Sequence, residues 1–208
     1  IMLAAGASVF LTEPLSGSST TSFTVNNLLR MVSNSGLVYD PGAVSGGATA
    51  VNTADGLLVS TRGNITIVGD TVEQLGLVEA TTSITRAGSI TITATGTPTT
   101  ANPNLGLALF GSSSLTTILP EENGETIPSD STSLSAFVAP TVAVTTTNMD
   151  MKSGALILAP GATMTVDSLA GTTSSGSAAG RVLLEDGSEI NLAGLTATRS
   201  VSDYLYTD

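Results

Sequence analysis

Residues 153–171, SGALILAPGATMTVDSLAG, and residues 179–195, AGRVLLEDGSEINLAGL, lie over one another in a single register. Val182 falls on Leu156, Leu184 on Leu158, Ile190 on Met164, Leu192 on Val166 and Leu195 on Leu169, each 26 positions on. Gly180 and Gly187 fall on Gly154 and Gly161 in the same register. Repeats of about 20–50 residues mark architectures in which each unit buries its face on the next. The unit here reads strand, Gly turn, strand, turn, with no helix-period segment inside it. A second pair, Gly63-Asn64-Ile65-Thr66-Ile67 and Gly88-Ser89-Ile90-Thr91-Ile92, repeats at a step of 25. Together they predict an all-β chain, a parallel β-helix (β-solenoid) of about 25–26 residues per coil with loop excursions. About six to eight coils at about 4.8 Å each would make a rod on the order of 30–40 Å long.

Composition sets what such a coil can hold. Apolar residues make up 41% of the chain but aromatics only 3%, and Trp is absent. The core must therefore be Val, Ile, Leu, Met and Ala, which suits a narrow interior of similar layers. Ser and Thr exceed a quarter of the chain and charged residues are only 11%. Hydroxyls thus supply most of the surface polarity, and Thr fits a pleated surface through its β-branch. No Cys is present, so stacking and not disulfides must hold the fold. The net charge is −11, and the six basic residues, Arg30, Arg62, Arg86, Lys152, Arg181 and Arg199, are scattered singly. Nucleic acid, which needs clustered Lys and Arg, is excluded as a partner.

Along the chain, residues 1–54 read as N-terminal coils. Within them, Val25, Leu28, Leu29 and Val32 at i, i+3, i+4, i+7 admit a short helix over 25–33, stopped by Asn34 and Gly36, or else a strand pair. Residues 55–96 read as β-helix coils, with Ile65, Ile67, Val72 and Leu75 alternating inward and Thr66 and Glu73 outward. Residues 97–153 are loop-rich coils with an acidic, Pro-bracketed excursion, PEENGETIPSDSTS, over 120–133. Residues 154–208 read as coils again. Three loops, 97–106, 120–133 and 172–180, offer themselves for contacts.

Candidate chemistry is thin. Without His or Cys, acid–base work would fall to carboxylates or Lys152. Glu121, Glu122 and Glu125 are the densest acidic group, and with Asp130 they could gather a weak Ca²⁺. Solvation of a surface loop explains them better. Asp167 could neighbour Glu185 and Asp186 across coils as a glycosidase-like pair. No dinucleotide or phosphate loop occurs. The expectation is therefore no catalytic, cofactor-binding or metal site, no cofactor and no enzyme activity.

The stretch DGLLVSTRGNITIVGDTVEQLGLVEA, residues 55–80, resembles the filamentous haemagglutinin family of large bacterial exoproteins. The positions that carry the likeness are Gly63, Ile65, Ile67, Val72, Gln74, Gly76, Leu77 and Ala80. Residues 154–167, GALILAPGATMTVD, and 186–203, DGSEINLAGLTATRSVSD, are similar to other coils of that family. The resemblance covers about two-thirds of the chain and leaves 97–135 unmatched. It implies a right-handed winding, export through a two-partner outer-membrane transporter, a secreted or bacterial cell-surface location, and a role in adhesion or biofilm. The segment itself is then expected to be an internal shaft piece of an adhesin-like exoprotein, facing a host-cell or matrix surface, glycans included. Two other readings stay open. One is a self-assembling extracellular filament or matrix subunit that associates end to end, and the other is a glycan-binding or polysaccharide-degrading β-helix.

Overall fold

The computed structural model describes residues 1–5, 8–11, 21–25, 28–32, 37–40, 47–83, 86–121, 138–168, 171–173, 176–178 and 180–194. Every regular element among the described residues is a β-strand. Fifteen strands form three parallel sheets of five. The first sheet stacks β1 (Met2–Ala4), β8 (Asn64–Gly69), β11 (Ser89–Ala94), β14 (Thr141–Thr146) and β17 (Thr163–Ser168). The second stacks β6 (Thr49–Asn52), β9 (Thr71–Gln74), β12 (Leu107–Phe110), β15 (Asn148–Met151) and β20 (Arg181–Leu184). The third stacks β7 (Leu57–Ser60), β10 (Leu77–Thr82), β13 (Leu115–Pro120), β16 (Leu156–Leu158) and β21 (Glu189–Asn191). The chain visits the sheets in one unchanging cycle, so the strands stack as five three-sided coils in the manner of a β-helix. The coils are β1-β6-β7, β8-β9-β10, β11-β12-β13, β14-β15-β16 and β17-β20-β21. Five coils among the described residues replace the expected six to eight.

Alternation explains why these segments are strands. Period-2 β-branched residues put one set of side chains inside and the next outside. On the first sheet the inward columns are Ile65-Ile90-Val142-Met164 and Ile67-Ile92-Val144-Val166. On the second they are Ala50-Val72-Ala108-Met149-Val182 and Asn52-Gln74-Phe110-Met151-Leu184. On the third, Leu58-Val78-Thr116-Ile157-Ile190 run in register. The middle layers are sealed, with Ile65, Ile67, Ile90, Ile92, Ile118 and Ile157 fully buried. Phe110, the largest buried side chain, sits beside the small Ala108.

The step of 25 from Ile65 to Ile90 is a true coil-on-coil register. It does not hold elsewhere, because Ile90 to Val142 is a step of 52 and Val142 to Met164 a step of 22. The 26-residue register is corrected. Val182 stacks on Met149 and Ile190 on Ile157, both 33 positions back, and not on Leu156 and Met164. Gly187 likewise follows Gly154, whose amide donates to its carbonyl at 3.0 Å. The overlay had matched a third-plus-first-sheet segment with a second-plus-third-sheet segment, one face out of phase. Both read strand, Gly turn, strand, so pattern alone could not separate them. Leu169 and Leu195 lie outside the described residues. Gly154 and Gly187 both take φ above +80°, a conformation costly for any residue with a Cβ. A Cβ on Gly154 would also stand 2.4 Å from the Ser112 carbonyl oxygen.

Two pieces leave the stack. Between β1 and β6, strands β2 (Ser8–Leu11), β3 (Thr21–Val25), β4 (Leu28–Val32) and β5 (Leu37–Asp40) form an antiparallel sheet in the order β2-β5-β4-β3. The helix allowed for 25–33 is therefore corrected, since Leu28–Val32 is a strand paired antiparallel with Thr21–Val25. The strand-pair reading holds there, and Asn34 and Gly36 fall outside the described residues. Nine residues are too few to nucleate an isolated helix, and strand pairing decides the outcome. Between β17 and β20, β18 (Gly171–Thr173) and β19 (Gly176–Ala178) pair antiparallel.

Candidate functional site

The three edges of the stack differ, and the difference singles out one of them. The edge from the second to the third sheet carries only short turns in all five coils, at 53–56, 75–76, 111–114, 152–155 and 185–188. The edge from the first to the second sheet alternates. In the second and fourth coils it is one residue, Asp70 and Thr147 respectively. In the first, third and fifth coils it opens into excursions that hold β2–β5, residues 95–106, and β18–β19. At about 4.8 Å per coil the excursions stand about 10 Å apart. That is the spacing at which two packed sheets sit face to face, so each excursion has room that neighbouring coils would deny it.

The one-residue corners hold the feet of the excursions. The Asp70 carbonyl accepts from Gly96 N–H at 3.0 Å and from Gly106 N–H at 2.7 Å, pinching together both ends of the third-coil excursion. The Asp70 side chain, buried, accepts at Oδ2 from Ala48 N–H at 2.7 Å, and Asp70 N–H donates back to the Ala48 carbonyl at 2.8 Å. It thereby fixes the returning foot of the first excursion. Thr147 repeats the device one pair of coils on. Its carbonyl accepts from Ser168 Oγ at 3.1 Å and Arg181 N–H at 3.0 Å, the two feet of the fifth-coil excursion. Within the 95–106 excursion, Thr99 and Asn102 exchange backbone hydrogen bonds, and Thr71 Oγ1 donates to the Asn104 carbonyl at 2.9 Å. The result is a row of loops on one edge, their feet held by backbone and side-chain hydrogen bonds to the corners.

Of the residues expected to matter from sequence, Glu121 pairs with Arg62 and ties the turn after β7 to the end of β13. Glu122, Glu125 and Asp130 lie outside the described residues. Asp167 is exposed in β17, in register with Thr145, whereas Glu185 follows β20 on another sheet. Glu185 is engaged by Lys152, whose Nζ lies 2.7 Å from Glu185 Oε1 and 2.9 Å from Asp150 Oδ2. Glu185 Oε2 accepts from Ser153 N–H at 3.1 Å. Asp186 is exposed in the turn. Hydrogen bonds donated by the Lys152 ammonium to the carboxylates of Glu185 and then Asp150 hold it above its ordinary pKa. Lys152 and then the Ser153 amide hold Glu185 below the usual carboxylate range. Both stay ionised at neutral pH, so Lys152 is no nucleophile and Glu185 no general acid. No group of three or more potential metal ligands gathers among the described residues.

Sequence reasoning missed the buried amide of Gln74, which takes the inward position assigned to Leu75. Leu75 is only half-buried, whereas Gln74 is fully enclosed. Its Oε1 accepts from Asn52 Nδ2 at 2.7 Å, and its Nε2 donates to the Gly76 carbonyl at 2.9 Å and the Leu115 carbonyl at 3.3 Å. One side chain thus ties three successive coils. No protein-family model, no curated protein and no solved structure matches the chain.

Proposed function

We propose that this chain is a shaft segment of a large secreted or cell-surface adhesin-like exoprotein of the filamentous haemagglutinin kind. The reading takes the winding as right-handed, with a basal coil of about 25 residues that excursions lengthen. Its role is mechanical. A stiff stack projects the anchored loops of one edge toward a host-cell or matrix surface, glycans included, and the chain does no chemistry and carries no cofactor. Export would use a two-partner outer-membrane transporter, as the resemblance of residues 55–80 implies.

The observation that carries this reading is the alternation of excursions and one-residue corners along the edge from the first to the second sheet, while the edge from the third to the first sheet is interrupted by one long segment, 121–140. A stack whose only task is to be long needs no such asymmetry. Loops that must reach a partner gain from being spaced, and from being rooted in carbonyls that cannot move.

The test is negative-stain electron microscopy of the native secreted material with its intact subunit mass. Thin rods from one very long chain support the shaft. Filaments built from a subunit near 20.7 kDa sink it.

A further inference from the structure

The three outer faces of the stack carry three different chemistries. On the third sheet Leu57, Leu77, Leu115 and Leu156 stand in one outward column. On the second, Glu73 and Asp150 alternate with Leu109 and Leu183. The first sheet differs from both. One outward column runs Asn64-Ser89-Thr141-Thr163 in unbroken register. Two residues on, a second runs Thr66-Thr91-Ala143-Thr165. A third adds Thr93 and Thr145, and ends on the one charge of the face among the described residues, Asp167. All of these positions are at least partly exposed. Their hydroxyls have no hydrogen-bond partner among the described residues. Hydroxyls at the corners, those of Thr71, Thr82, Thr146 and Ser168, are instead spent on backbone carbonyls.

We propose that the outer face of the first sheet binds ice. Its free hydroxyls recur about 4.8 Å apart from coil to coil and about 6.6 Å apart along each strand, two rises of about 3.3 Å. Oxygen atoms on a prism face of ice recur at repeats close to both, so one face can register on the other in two dimensions. The β-branch restricts each Thr at χ1, which holds hydroxyl and methyl in place before contact. Each hydroxyl can donate once and accept twice to lattice water, and the methyls, that of Ala143 included, line the troughs between them. A dissolved partner is a poorer fit. The face offers none of the Trp, Tyr or Arg anchors on which protein interfaces depend, and no ring for a sugar to stack on. Contacts this weak hold only when many are made at once, which requires a partner as periodic as the face itself. This inference goes beyond the shaft reading and does not rest on it.

The experiment is nanolitre osmometry with an ice-recrystallisation assay on the full 208-residue chain, beside Thr91→Tyr, Thr145→Tyr and, as a control on another face, Val59→Tyr. Val59 is 40% exposed on the outer side of the third sheet. Tyr suits an exposed strand position, so all three variants should keep the circular dichroism spectrum of the unaltered chain. The unaltered chain and Val59→Tyr should hold ice crystals faceted below the melting point and stop recrystallisation. The two first-sheet variants should lose both effects, because a ring standing proud of the array prevents simultaneous contact. An unaltered chain in which ice grows as it does in buffer overturns the proposal. So does activity that survives both first-sheet substitutions, or that Val59→Tyr also abolishes. Retention by crystalline cellulose and not by ice would give the face to a polysaccharide and overturn it as well. The shaft reading fails on a different result, the subunit mass of the native material, so the two can be told apart.

Discussion

At the scale of single residues, buried polar groups do as much to fix this stack as its isoleucines. Gln74→Leu keeps volume but removes the acceptor of one Asn52 Nδ2 hydrogen and the side-chain donor to the Gly76 and Leu115 carbonyls, and should cost about 1–3 kcal/mol. Asp70→Ala removes the acceptor of Ala48 N–H and should cost a similar amount, on the order of 1.5–3 kcal/mol for a bond to a charged group. Ile92→Ala, in the sealed centre, should cost about 2–5 kcal/mol. Thr91→Val, on the outer face one residue away, should stay within about 0.5 kcal/mol. Urea unfolding of the four variants checks the set, and equal losses at Ile92 and Thr91 would contradict the inward–outward assignment. These positions were unequally legible. Ile65, Ile67, Ile90 and Ile92 declare their direction by alternation with Thr. Gln74 does not, because a polar residue at an inward position looks like an outward one until its partners are seen. Leu75 was read inward for the same reason.

At the scale of elements, strand identity was plain and face identity was not. Every strand of the stack alternates in the same way, so a register found by overlaying apolar residues can land on the neighbouring face, as the 26-residue overlay did. The step of 25 between β8 and β11 escaped this error because β9 and β10 lie between them with only short turns. At 28–32 the apolar spacing suited either period, and antiparallel pairing with β3 settled it. Loop tolerance should follow the edges. Four Gly/Ser residues inserted after Thr100 extend an excursion already pinched at its base. They should cost well under 1 kcal/mol, since each doubling of loop length adds only about 0.6 kcal/mol. The same insertion between Gly111 and Ser112, where Gly111 N–H donates to the Gln74 carbonyl, should destabilise clearly more in urea unfolding. The ion cluster at the fourth and fifth coils adds a pH dependence. Glu185, with its pKa lowered in the folded state, contributes stability above the ordinary carboxylate range and loses it as pH falls through the lowered value. Lys152, with its pKa raised, contributes below the ordinary lysine range and loses it as pH rises through the raised value. Hydrogen-exchange protection of β20 and β21 should therefore fall in acid before that of β11, and Glu185→Gln should remove the difference.

At the scale of the whole molecule, the charge of −11 bears on assembly more than on folding. The end that carries Val182 and Leu184 also carries Asp167, Glu185, Asp186 and Glu189, against Lys152 and Arg181. Salt screens such like charges over about 10 Å at 0.1 M, so copies of the chain should repel one another less as ionic strength rises. Sedimentation in a salt series measures this, and a repulsion that does not fall with salt would contradict it. The all-β stack was legible from the sequence because one residue pattern serves all three faces. The number of coils was not, because excursions consume residues without adding a layer. The excursions themselves impose a rule on how such a rod can grow. Copying a single coil that carries one would set two of them on adjacent rungs, about 4.8 Å apart, where they would collide. Copying a pair, one with a loop and one with a bare corner, keeps every loop about 10 Å from the next. Such a rod can therefore be lengthened by bare coils anywhere, but by looped coils only with a bare coil between each.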